Sequence, residues 1–463
     1  MPLSLAPIFT HHAVLQRDRP IPVWGIAAPG SDVSVTLAGA VRLARAGADG
    51  RFRTEFSPLP AGGPHSLAAE SKGERITFNN ILIGEVWLAS GQSNMQWNIA
   101  DCAERAEALA EAERLPIRMD RGSGWRVCDV SSVVWFSAVG FFFARHLFNE
   151  LKVPIGIIDR SAGGTRIEAW MSQSTLKISP FGREMLALAD SPDVKAAALA
   201  DDAAMRAWLA ENPRVSPLPA ATLGKWRLGR ALPVTLYEKH IKPLAPYAVR
   251  GVIWYQGESN SSAVSDANGY RTLLPGLIGG WRGLWDERDM PFIYAQLPNY
   301  KGDEPDAWAI TREAMRKALT VQNTAMAVTI DLGETNDIHP KRKKEVGRRL
   351  ALGALAKAYA KDIIAMGPLY RGMKHEGRAV RLLFDHVGTG LDAKNPSGLT
   401  GFTIAGKDGK FRAAKAVIDK DAVLVKNDIG NDAVVIRYAW ANDPAWCLVN
   451  SAGLPASPFT TAI

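Results

Sequence analysis

Four short apolar runs, each ending in a polar turn, constrain this chain more than any other feature. They are Ile81 to Leu88, Val153 to Asp159, Val252 to Tyr255 and Ala325 to Ile330. From Ile81 to about Met366 they alternate with segments of helical periodicity, as a parallel sheet with crossover helices requires. In an open α/β sheet, ligands and catalytic loops gather at the carboxyl ends of the strands. The four polar turns are therefore where chemistry is expected.

The first run breaks at Gly91-Gln92-Ser93 and continues into residues that can open a helix. A serine on such a turn is exposed, and the N–H groups beside it suit a nucleophile whose product is an oxyanion. Gly-x-Ser alone also describes an ordinary N-cap. After the fourth run, Asp331-Leu332-Gly333 leads to Asp337-Ile338-His339-Pro340. A histidine and a carboxylate on one loop, with a serine on another, follow triad logic in the order Ser93, Asp337, His339. A compatible second reading makes Asp337 the cap of a helix that starts near Pro340 and runs over Lys341 to Ala356. The second run ends in Arg160-Ser161-Ala162-Gly163-Gly164-Thr165-Arg166, whose paired glycines can bring backbone N–H groups close to a ligand. The third runs into Gln256-Gly257-Glu258-Ser259-Asn260, which brings amide and carboxyl side chains to the same edge.

Together these segments resemble the sialate O-acetylesterase family of the SGNH hydrolases, which remove acyl groups from carbohydrates. The resemblance rests on Gly91 to Met95, Gly163-Gly164-Thr165 with Glu168-Ala169-Trp170, Trp254 to Asn260, and Asp337 to Pro340. It extends to Val14 to Arg17, Val23-Trp24-Gly25 and Gly84 to Trp87, and at the other end to Arg437 to Trp440 and Leu454 to Phe459. It implies Ser93 as nucleophile, His339 as general base and Asp337 as its orienting residue. It implies an oxyanion hole from the N–H groups of Ser93 and Gly163, with Gly164 the alternative, and the side-chain amide of Gln256, with Asn260 in reserve. The superfamily's usual asparagine position is Ser259 here. The spacing from Asp337 to His339 is two residues rather than the usual three, which leaves Asp331, Glu334 or a backbone carbonyl as other ways to orient the ring. Asn94, Trp97, Glu258 and Asn260 are candidate substrate-binding residues. No metal or organic cofactor is implied. The implied substrate is an acetylated sugar, sialate-like or, as in relatives sharing the pattern, xylan or xyloglucan. A retired core acting only as a carbohydrate-binding protein is the alternative of another class. An intact Ser93, Asp337 and His339 argue against it.

With 463 residues, 47% hydrophobic and 22% charged, the chain has the composition of an ordinary globular protein able to bury a large core. The net charge of +8 is small for this length and spread out. Lys341-Arg342-Lys343-Lys344, the one basic cluster, reads as a solvated helix face rather than a nucleic-acid site. Cys102, Cys128 and Cys447 form no disulfide framework, although the first two could pair in an oxidising compartment. Val130 to Ala144 is the nearest approach to a membrane span and is too short; Phe141-Phe142-Phe143 within it suits a buried helix. Met1-Pro2-Leu3-Ser4 leads almost directly into strand-like sequence without a signal peptide, while the resemblance implies a periplasmic or secreted protein, with a cytoplasmic one as the alternative. Of the 14 Trp, Trp97, Trp170 and Trp254 lie inside the motifs, where a ring could stack on sugar, although most tryptophans belong to cores.

The expected class is α/β, an SGNH-hydrolase (flavodoxin-like) parallel-sheet core with flanking β-sandwich segments. Residues 1–80 read as an N-terminal β-sandwich, 81–366 as the catalytic domain and 367–463 as a C-terminal β domain. Lys177 to Ala231, rich in Ala and charge, reads as a helical insertion near the active-site edge.

Overall fold

The computed structural model describes residues 1–211, 231–395, 398–429 and 435–462. Six parallel strands form the centre: β1 (Glu74–Gly91), β2 (Ile117–Asp120), β3 (Ile155–Ser161), β4 (Gly251–Tyr255), β5 (Phe292–Ala295) and β6 (Thr324–Ala327). Their spatial order is β2-β3-β1-β4-β5-β6, with a short antiparallel strand, Trp125–Val127, beyond β2. The order reverses direction beside β1, so the nucleophile turn lies at a switch point of the sheet, where neighbouring loops diverge and leave a crevice.

Helices cover both faces. They are α1 (Ser93–Gln96), α2 (Ala138–Leu151), α3 (Val264–Trp285), α4 (Ala307–Lys317) and α5 (Lys344–Tyr359). Successive residues of a strand point to opposite faces. On β5, Phe292 meets Trp281 of α3, while Ile293 lies against Gly353 of α5. Strands buried on both faces must be apolar throughout, which is why the four runs read as continuous rather than alternating. Phe141, Phe142 and Phe143 are buried in α2 as expected. A β-carbon at Gly347 would meet the main chain of Phe143, so glycine lets α5 approach α2 closely.

The boundary expected at residue 80 falls inside β1. Its first half pairs antiparallel with Gly62–Ser71 and its second half enters the parallel sheet. Gly62–Ser71 continues to Asp32–Leu37 and Ala40–Arg45, and a second sheet holds Ser4–Leu5, Ile21–Ile26 and Arg51–Phe56. Val23, Val33, Val35, Phe52 and Phe56 of these sheets join the same core as the central sheet. The C-terminal strands are separate. Leu369–Glu376, Ala379–Asp385, Ala422–Lys426 and Ala416–Asp419 form one sheet, and Arg412–Ala413, Phe402–Ala405, Val435–Tyr438 and Phe459–Thr460 another. They share a core of their own around Val380, Leu382, Ile404, Val423 and Tyr438.

Within the expected insertion, helices run over Pro180–Asp190 and Pro192–Glu211; residues 212–230 lie outside the described residues. Cys102, Cys128 and Cys447 are buried free thiols. No described helix is long and apolar enough to cross a membrane.

Candidate active site

Four loops converge at the carboxyl edge of the sheet. Gly91 ends β1 at φ +138°, and a β-carbon there would overlap the carbonyl of Tyr255, so only glycine allows this crossing. Gln92 then donates its N–H to that carbonyl at 3.0 Å, and Ser93 opens α1. The base loop arrives from β6. His339 Nε2 lies 2.8 Å from Ser93 Oγ, a hydrogen bond across 246 residues of sequence. Both side chains are half-buried.

Stacking and a local turn hold the imidazole. Trp97, just after α1, stacks on it with ring centroids 4.9 Å apart and planes 22° from parallel. Asp337 Oδ1 accepts the backbone N–H of His339 at 2.8 Å, closing a two-residue turn that makes the short spacing workable. Among the described residues no hydrogen bond joins Asp337 to Nδ1, so the expected carboxylate–imidazole contact is replaced by a main-chain one. Nor does Asp337 cap a helix, because α5 starts only at Lys344. The two other acids are engaged elsewhere. Asp331 forms a bidentate pair with Arg349, both contacts at 2.6 Å, and Glu334 accepts the Lys341 N–H at 3.1 Å. Burial and then the charge of Lys343 hold His339 below its usual pKa of 6.5, against the opposing pull of Asp337.

Beneath the pair lies a buried polar layer. Asn94 Nδ2 donates to Glu258 Oε1 at 2.6 Å and to the Ile338 carbonyl at 3.0 Å, while its Oδ1 accepts from Lys343 Nζ. One amide thus ties the nucleophile turn, the third loop and the base loop together. Burial pushes the Glu258 carboxyl up and the Lys343 ammonium down to about 7. Lys343 corrects the reading of its basic cluster as a solvated face: it is 0% exposed, 5.8 Å above the Trp97 ring and 5.7 Å above that of Tyr255. Its neighbour Lys344 pairs with Glu107. A lysine four residues after the candidate base was the available signal, hidden among other cations.

Gln256 is fully buried, and its amide lies within hydrogen-bond reach of Gln92 Oε1 (3.1 Å), the Thr165 carbonyl (3.1 Å) and Asn260 Oδ1 (2.8 Å). Two N–H bonds facing three interior acceptors leave none for an oxyanion, so its expected role as a donor is corrected to that of a brace. Asn260 is likewise interior, accepting from Ile167 N–H at 3.0 Å and donating to Glu168 at 3.0 Å. Glu168 pairs in turn with Arg166, which reaches Asp266. Asn94, Glu258 and Asn260 are too buried to touch a substrate; Trp97 alone of the four expected contacts is partly exposed. Trp170 and Trp254 are core residues, part of an edge-to-face series with Trp281. Gly163 lies beside the nucleophile, where an added β-carbon would sit 3.4 Å from Ser93 Cβ, and Gly164 takes φ +71°. The Gly163 N–H donates to Gln96 Oε1 at 2.9 Å.

Residues 220–356 match the family model for carbohydrate esterases described as sialic acid-specific acetylesterases. The sialate O-acetylesterase of Rattus norvegicus is 27% identical over 98% of this chain and 93% of its own length. That of Homo sapiens is 27% identical over 95% and 89%. The crystal structure of a carbohydrate acetylesterase from Xanthomonas citri superposes with a TM-score of 0.85 and 33% identity over 100% of both chains. With a serine–histidine pair at the switch point of the sheet and a full-length relative above 30% identity, the chain belongs to the sialate O-acetylesterase family of carbohydrate esterases.

Proposed function

We propose that this carbohydrate O-acetylesterase, a carboxylic ester hydrolase, works through Ser93 as nucleophile and His339 as general base. The observation that carries the reading is the 2.8 Å contact between His339 Nε2 and Ser93 Oγ at the carboxyl edge of the sheet. His339 takes the Ser93 proton as Oγ attacks the acetyl carbonyl. The N–H groups of Ser93 and Gly163 receive the developing oxyanion. His339 returns the proton to the departing sugar hydroxyl. Water, deprotonated by the same ring, then hydrolyses the acetyl-enzyme to acetate. Asp337 acts as a positioning residue, through the turn it closes and the negative charge it holds near the imidazolium. The central strand order β3-β1-β4-β5-β6, with β2 added at the edge, supports an SGNH-hydrolase core carrying a β-sandwich at each end. A periplasmic or secreted location is proposed on the habit of the family, and the substrate on the activity of the relatives: an O-acetylated sugar of the sialate type.

The test is Ser93→Ala, assayed by acetate release from O-acetylated sialic acid, xylan and xyloglucan and by p-nitrophenyl acetate hydrolysis. Turnover should vanish with the fold intact, and a fluorophosphonate should label wild-type protein at Ser93. Near-normal turnover in the alanine variant would overturn the assignment. The sugar that releases acetate fastest identifies the substrate.

A further inference from the structure

We propose that Gln96 is a self-inhibiting residue whose side-chain carbonyl occupies the oxyanion hole at rest and must swing out before an acetyl ester can react. This rests on the reading of Ser93 and Gly163 above. The Gly163 N–H, poised beside Ser93, already has an acceptor: Gln96 Oε1 at 2.9 Å. A primary-amide oxygen is close in shape and polarity to an ester carbonyl oxygen, so it mimics the substrate atom that would lie there. Both cannot accept the same N–H in good geometry.

The surroundings allow the side chain to leave without the loop. Gln96 is the last residue of α1, and its backbone N–H donates to the Gln92 carbonyl at 3.0 Å. Its own carbonyl accepts from Arg121 Nη2 at 3.2 Å, and Arg121 Nη1 holds Asn98 Oδ1 at 2.6 Å and the Trp135 carbonyl at 2.5 Å. Arg121 is itself paired with the buried Asp159 at 2.9 Å. The main chain is thus clamped on both sides, whereas the half-buried side chain is held, among the described residues, by the one hydrogen bond to Gly163. Clamping matters because Trp97, the next residue, stacks on His339. A moving backbone would disturb the base; a moving side chain does not.

The consequence is a resting site that inhibits itself. Every substrate must displace one internal hydrogen bond. That cost is carried by the free enzyme, so it lowers kcat/KM for a sugar ester and for a small activated acetate by the same factor. A net hydrogen bond contributes about 0.5–1.5 kcal/mol, so its loss is worth roughly two- to twelvefold.

The experiment compares wild type, Gln96→Ala and Gln96→Glu. Gln96→Ala should raise kcat/KM for p-nitrophenyl acetate severalfold and speed fluorophosphonate labelling of Ser93 by a similar factor. Its kcat/KM for the O-acetylated sugar should rise by the same factor, because both esters displace the same resting contact. Gln96→Glu places a carboxylate against the same N–H and should slow both reactions. Equal labelling rates and equal kcat/KM values in wild type and Gln96→Ala would overturn the proposal while leaving Ser93 as nucleophile. Absence of labelling at Ser93 in wild type would instead remove the catalytic reading on which it rests.

Discussion

Replacing Asp337 by asparagine separates two ways in which a carboxylate can serve a catalytic histidine. In one it accepts the Nδ1 proton and fixes the tautomer; loss of the charge then costs about ten-thousandfold. In the other, which the structure of this loop supports, Oδ1 accepts the His339 main-chain N–H at 2.8 Å and shapes the turn. A hydrogen bond to a charged acceptor contributes about 1.5–3 kcal/mol and a neutral one about 1. Asp337 is partly exposed, so water reduces that difference. Asparagine keeps an acceptor oxygen, so the turn survives at a cost of about 0.5–1 kcal/mol, or roughly two- to fivefold in rate. Losing the charge near the imidazolium brings the expected fall in kcat/KM to roughly tenfold. Asp337→Ala removes the acceptor altogether and should be the more damaging, roughly ten- to a hundredfold. The assay is initial-rate acetate release, with circular dichroism and thermal melting to show that both variants fold. A loss of a thousandfold or more in well-folded Asp337→Asn would refute the reasoning and place the carboxylate on Nδ1 in the working enzyme.

Two further outcomes follow from the buried polar layer. Burial and the charge of Lys343 lower the His339 pKa, and the neutral ring is the competent base, so the acid limb of kcat/KM should lie below pH 6.5. Lys343→Met should move that limb up towards the ordinary histidine value; a limb that stays in place would remove Lys343 from this role. Gln256→Ala removes the amide donors that face Gln92 Oε1, Asn260 Oδ1 and the Thr165 carbonyl, and each net hydrogen bond lost costs about 0.5–1.5 kcal/mol. It should therefore lower the urea midpoint clearly. A loss of a hundredfold or more in kcat/KM at unchanged stability would return Gln256 to the oxyanion hole.

By itself the sequence determined the parallel sheet and its reactive edge. Apolar runs such as Val252 to Tyr255 can be satisfied only between two helical layers, and the turn residues Gly91, Ser93 and His339 sit where those runs end. Short-range pattern carries that information because it reports which stretches must be buried and where the chain must turn. It did not reveal that β1 runs through the expected boundary at residue 80, because Glu74 to Asn80 alternates like an exposed strand and Ile81 to Leu88 like a buried one. Only the tertiary structure decided the partners. Gln256, Asn94 and Lys343 are polar residues in polar segments, and nothing local distinguishes a donor aimed at substrate from one used up inside. Lys343 reaches Asn94 across 249 residues of sequence and Gln96 reaches Gly163 across 67. Hydrogen bonds are short and directional, so which acceptor a side chain finds is settled by ångström-scale placement after folding, not by the order of residues along the chain.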